Sequence, residues 1–148
     1  MKNSGLKERL KQMEGYSPYE YPDTNGFPTI YYGHLIKKGE VFNHTQAEAE
    51  IILDKDIAIA RSAAKKLFPE IDSFSQARQD ALIELVFNMG AGKIGKKFPR
   101  FVHNVNIKDW EGAANELKYA DGKTVLSKWY NDVHATRADF IIEELEEG

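Results

Sequence analysis

Met13-Glu14-Gly15 … Tyr21-Pro22-Asp23-Thr24-Asn25-Gly26 … Pro28-Thr29-Ile30-Tyr31-Tyr32-Gly33-His34 is the stretch in which helical spacing gives way to sheet chemistry. Upstream of it, Leu6, Leu10 and Met13 recur at helical spacing and predict a short amphipathic helix over 4–13. Gly15 ends that helix, and Pro18 follows closely. Residues 16–34 then hold Tyr16, Tyr19, Tyr21, Tyr31 and Tyr32, three prolines and the turn signal Asp23-Thr24-Asn25-Gly26. This is hairpin chemistry, with Thr29-Ile30-Tyr31-Tyr32 as a strand.

Downstream the spacing becomes helical. Thr45-Gln46-Ala47-Glu48 is a capping box, and the helix it opens continues towards Lys66. Pro69 and Asp72-Ser73 break it. Ser75 caps the next helix, where Ala77, Ala81, Leu82, Leu85, Val86 and Met89 form a wide apolar face. Ile83 and Phe87 fill out that face, so this helix should run through the middle of the fold, with Gly90 and Gly92 ending it. Asp109-Trp110-Glu111 opens a helix through Leu117, and Thr136 to about Glu146 forms the last. Its terminal glutamates oppose the helix dipole, which predicts fraying. The expected class is α+β: a small sheet lobe over about 14–44, a connecting helix over about 45–66, and a helical lobe over about 70–148 that includes the N-terminal helix.

Composition sets the outer limits. A chain of 148 residues is the size of one domain. No run approaches the roughly 18 apolar residues of a membrane span, so stable insertion in a bilayer is not expected. The start is too polar for a signal peptide. There is no cysteine and hence no disulfide. A net charge of −3 argues against nucleic acid as a partner. Residues 91–108 nevertheless carry Lys93, Lys96, Lys97, Arg100 and Lys108 without an acid, which suits a solvated loop and helix face or a contact surface for an anionic polymer equally well.

Singly, Glu14, Asp23 and Thr29 have ordinary readings: a surface acid, a turn former and a strand residue. Glu14 also sits where unpaired helix carbonyls disfavour a negative charge, which suits an acid that must hold its proton. Their spacing is the specific signal. Glu, eight residues, Asp, five residues, Thr, set within Glu-Gly, Asp-Thr-Asn-Gly and Thr-Ile-Tyr-Tyr-Gly-His, resembles the signature of the phage-type lysozymes, glycoside hydrolase family 24. The similarity extends to Thr45–Asp56, to Phe87-Asn88-Met89-Gly90, to Asp109–Ala114 and to Lys128-Trp129-Tyr130-Asn131 followed by Arg137-Ala138, as in the T-even branch.

The resemblance implies two lobes joined by a long helix, with the saccharide between them. It implies Glu14 as general acid, and Asp23 with Thr29 positioning a water for inverting cleavage of peptidoglycan between N-acetylmuramic acid and N-acetylglucosamine. Inversion needs carboxyls roughly 6.5–9.5 Å apart. Gly33, Leu35, Phe87 and Asn88 fall where the family lines its sugar subsites. Arg137 matches the arginine that pairs with the catalytic glutamate, and His34 with Asp56 matches a structural histidine–aspartate pair. No metal or organic cofactor is needed. The implied enzyme is a monomer, made in the host cytoplasm and acting on the wall after release.

The chain departs from the family in three ways. Tyr31 stands where the family usually has glycine, and strand alternation places it beside Thr29, where its ring would contact or obstruct a sugar. One extra residue separates Asn131 from Arg137, and the chain is slightly acidic. Tyr31 gives some weight to another reading, a catalytically weak module that binds peptidoglycan or a protein partner. A glycosidase acting on chitin is a third.

Overall fold

The computed structural model describes residues 4–120, 126–133 and 135–148. The chain runs α1 (Ser4–Glu14), β1 (Ser17–Pro22), β2 (Pro28–Tyr31), β3 (His34–Leu35), α2 (Gln46–Leu67), α3 (Gln76–Met89), α4 (Ala91–Lys97), α5 (Pro99–Asn106), α6 (Trp110–Lys118), α7 (Lys128–Asp132) and α8 (Ala135–Glu147). One small antiparallel sheet precedes a mostly helical remainder, the α+β class that the sequence predicts. The chain divides into two compact units, Met1–Ile59 and Ala60–Gly148, and the boundary falls inside α2. Helix α1, grouped by sequence with the helical lobe, belongs to the first unit. No helix among the described residues is long and apolar enough to cross a membrane.

In the first unit the sheet order is β1-β2-β3. Tyr21 pairs with Thr29 and Pro22 with Pro28, while Thr29 pairs with Leu35 and Ile30 with His34 on the other side. The register shifts between Ser17 and Tyr21, so β1 is bulged, and Pro18, which has no N–H for a ladder, sits in the irregular part. Leu6, Leu10, Ile30, Tyr31, Tyr32, Phe42, Ala49, Leu53 and Ile57 are its buried apolar residues. Ion pairs tie α1 to the first half of α2: Lys7 Nζ lies 3.0 Å from Glu50 and 2.9 Å from Asp54, and Lys11 Nζ lies 2.8 Å from Glu50. Hydrogen bonds from Lys11 and Lys7 hold the Glu50 carboxyl down at about 2. At the start of α2, Thr45 Oγ1 accepts from the Glu48 amide at 3.2 Å, half of the expected capping box. The other half differs, because Glu48 reaches back to the Asn43 amide, at 2.7 Å.

In the second unit Ala81 to Val86 are buried without a break, so α3 is central to that unit as its sequence requires. Ser75 Oγ caps it by accepting from the Arg78 amide at 3.2 Å. Helix α8 packs on α3 and α6, and α5 packs on α6. Gly90 alone, at φ +85°, ends α3; Gly92 lies inside α4, and the basic stretch forms two helices where a loop and one helix face were expected. Asp109 caps α6 through the Gly112 amide at 3.0 Å. Helix α8 extends to Glu147, and Arg78 donates to the Leu145 and Glu146 carbonyls at 2.8 and 3.0 Å. A cation at those carbonyls supplies the donors and the charge that the helix end lacks.

Two pairs in the first unit give stability opposite pH limits. The folded Glu50 lies below its ordinary 4.5, so its contribution is complete above pH 4.5 and is lost as pH falls towards 2. His34 lies above its ordinary 6.5, chiefly through its bond to Asp56, so its contribution is complete below pH 6.5 and is lost as pH rises through the raised value. Urea midpoints measured against pH should therefore flatten on the acid side in Glu50→Gln and on the alkaline side in His34→Asn. Slopes identical to the parent in those windows would refute the assignment.

Candidate active site

Glu14 is the last residue of α1, and Gly15, at φ +72°, closes the helix by donating its amide to the Lys11 carbonyl at 3.0 Å. The Glu14 carboxyl lies against Gly33 in the turn after β2. A β-carbon at position 33 would stand 2.5 Å from Glu14 Oε1, and the backbone there has φ +72°. Both features favour glycine: its missing β-carbon leaves the carboxyl room, and its backbone takes the left-handed φ without strain.

Asp23 opens the turn that joins β1 to β2. Its Oδ1 accepts from the amides of Asn25 and Phe27, both at 2.8 Å, and its own amide donates to the Phe27 carbonyl at 2.8 Å. The Asp23 carbonyl accepts from Gly26, at φ +84°, which completes the turn. One carboxylate oxygen is thus occupied by the turn, and Oδ2 has no protein hydrogen bond among the described residues. Thr29 is buried on β2, and its hydroxyl donates to the Phe27 carbonyl at 2.9 Å. With that proton committed, Thr29 Oγ1 presents only lone pairs.

Cross-strand partners share a sheet face, so Tyr21, Thr29 and Leu35 form a row across β1, β2 and β3. Leu35 is exposed at the end of this row. Tyr21 was not singled out from sequence, although its place two residues before Asp23 on a strand was a usable signal. Burial, and after it the charges of Glu14 and Asp23, push the Tyr21 phenol up. Both carboxyls thus act on one phenol.

His34 is buried; its Nδ1 lies 2.7 Å from Asp56 Oδ2, the pair expected from sequence. Its Nε2 also meets Glu40 at 3.0 Å, a third member that sequence did not reveal. Glu40 in turn accepts from the Lys37 amide at 2.6 Å, which folds the 37–40 turn back on the imidazole.

Tyr31 is not where strand alternation put it. At φ +60° it leaves the extended conformation, and Thr29, Ile30 and Tyr31 are buried in succession. Its ring stacks parallel to Tyr16 at 6.5 Å and meets Phe42 edge-on at 5.6 Å, and its hydroxyl accepts from the His44 amide at 2.9 Å. With 0% exposure it offers no ring face to a sugar and obstructs none.

The remaining expected residues lie in the second unit. Phe87 is half-buried and Asn88 exposed on α3, with Trp129 Nε1 donating to Asn88 Oδ1 at 3.3 Å. Arg137 is buried on α8 and donates from Nε to Glu84 Oε2 at 2.9 Å. Sequence missed Glu84, an acid inside an apolar run. The extra residue between Asn131 and Arg137 falls in a stretch that includes His134, outside the described residues.

A model of the phage lysozyme family matches residues 11–129, a span that contains Glu14, the whole sheet and α3. The chain belongs to the phage lysozyme family. Among curated relatives, a probable T4-type lysozyme 2 of Dictyostelium discoideum is 31% identical, over 88% of this chain and 91% of its own. A probable T4-type lysozyme 1 of the same organism is 26% identical, over 98% and 95%. The pre-baseplate central spike protein Gp5 of Enterobacteria phage T4 is 29% identical over 95% of this chain, which spans 28% of that protein. The chain is therefore a glycoside hydrolase of the lysozyme class.

Gly33→Ala tests the packing of Glu14. The β-carbon must displace the carboxyl and strain the backbone, so activity should fall by about 10²-fold with a measurable drop in melting temperature. Turbidity clearing and thermal denaturation measure the two. An alanine variant as active as the parent would contradict the close approach.

Proposed function

We propose that this enzyme hydrolyses the β-1,4 bond between N-acetylmuramic acid and N-acetylglucosamine in bacterial peptidoglycan with inversion. Glu14 protonates the leaving oxygen, and Asp23 with Thr29 directs the attacking water. What carries the reading is the pair of acceptors at Asp23 and Thr29. Oδ1 of Asp23 is held by two amides and the Thr29 proton is committed to Phe27, so Asp23 Oδ2 and Thr29 Oγ1 remain as acceptors. A water that donates one proton to each has its lone pair turned outward, the orientation an in-line attack at the anomeric carbon needs. Deprotonation of that water by Asp23 and proton donation by Glu14 balance the hydrolysis.

Gly33 and Leu35 lie beside these groups in the first unit, which supports their reading as sugar contacts. Phe87 and Asn88 retain that role by resemblance, and Tyr31 does not. The reading of a catalytically weak module rested on Tyr31, and the burial of its ring removes that support.

Glu14→Gln keeps the shape and removes the acid. Clearing of outer-membrane-permeabilised Gram-negative cells should fall by about 10²–10⁴-fold, with binding to sacculi retained. Parent digests should release new reducing ends at N-acetylmuramic acid, with the inverted anomer first by NMR. Equal clearing by parent and variant would remove Glu14 from the mechanism, and reducing ends at N-acetylglucosamine would change the bond assigned.

A further inference from the structure

The three groups given to the chemistry supply few donors. Asp23 Oδ2 is an acceptor, Thr29 has given its proton to Phe27, and Glu14 has one proton at most. A saccharide offers hydroxyls but also ring, glycosidic and acetamido oxygens, which need donors. Tyr21 carries one. Its ring is half-buried, and its hydroxyl has no hydrogen-bond partner among the described residues.

Its position follows from the backbone. Tyr21 pairs directly with Thr29, so the two side chains stand side by side on one face. The ladder continues one residue further through the Asp23 amide and the Phe27 carbonyl, at 2.8 Å, so alternation brings Asp23 to the same face. We propose that Tyr21 is a substrate-contacting residue whose phenol O–H donates a hydrogen bond to a saccharide oxygen at the scissile bond. This rests on the muramidase reading of the same site and names a further residue for it.

The phenol is suited to remain a donor. Burial and the two neighbouring carboxyls oppose its ionisation, so the O–H persists through neutral and mildly alkaline solution. A partnerless hydroxyl also contributes little to folding, which separates a substrate role from a structural one.

Tyr21→Phe keeps the ring and removes only the donor. Its kcat/KM on soluble peptidoglycan fragments should fall by about ten-fold with an unchanged melting temperature. In a Glu14→Gln background labelled at tyrosine 13Cζ, the signal absent from Tyr21→Phe should shift when an alternating N-acetylglucosamine–N-acetylmuramic acid tetrasaccharide is added. A kcat/KM within two-fold of the parent, a signal that stays in place, or an activity loss matched by a lower melting temperature would each overturn the proposal. If Tyr21→Phe is neutral while Glu14→Gln is inactive, only the Tyr21 role fails. If Glu14→Gln retains activity, the underlying reading fails.

Discussion

The two hydrogen bonds that Asp23 Oδ1 accepts from Asn25 and Phe27 hold the turn between β1 and β2 in one geometry. In an antiparallel pair the turn sets the register, and a slip of one residue would send every side chain to the opposite face. With the observed register Thr29 stands between Tyr21 and Leu35. A shifted register would point the Thr29 hydroxyl away and bring Pro28 or Ile30 into its place. Asp23 therefore holds the frame with one oxygen and keeps the other without a hydrogen bond among the described residues. This division explains why aspartate fits better than asparagine, whose single carbonyl oxygen would serve the turn and leave only an amide to face water.

The second constraint is the left-handed backbone that ends β2 and follows it. Tyr31 at φ +60° and Gly33 at φ +72° turn the chain into β3 and bring Gly33 under Glu14. Left-handed geometry costs a residue with a β-carbon roughly 1–2 kcal/mol. Burying a large aromatic side chain returns about 1.5–3 kcal/mol, and the edge contact with Phe42 and the bond from the His44 amide add to it. The sum tolerates tyrosine where a glycine is usual. No such offset exists at Gly33, where the added atom would meet a carboxyl.

Local chemistry made much of this legible. Gly15, Thr45, Ser75 and Asp109 mark helix ends where the structure has them, because a cap acts over three or four residues. The Asp23 turn was legible for the same reason. Tyr31 was misplaced because period-two alternation assumes an extended backbone, and a single left-handed residue cancels it. Helix α4 was hidden by Gly92 and Gly95, poor helix formers that read as loop. Glu40 could not be foreseen as a partner of His34, since a loop decides what an acid six residues away can reach.

Glu84 shows the limit most clearly. In sequence it is a charge on an otherwise apolar stretch, and the simplest expectation is that it faces water. It is instead buried between Ile83 and Leu85 and answered by Arg137, which lies 53 residues later on α8. Removing an ion from water costs several kcal/mol, and only a well-placed opposite charge offsets it. The pair is thus weak evidence for net stability, although losing either partner alone leaves a buried charge and costs about 3–5 kcal/mol. The arginine that resemblance linked to catalysis is also the partner of a buried acid in its own unit, so a loss of activity on replacing Arg137 would not by itself report chemistry.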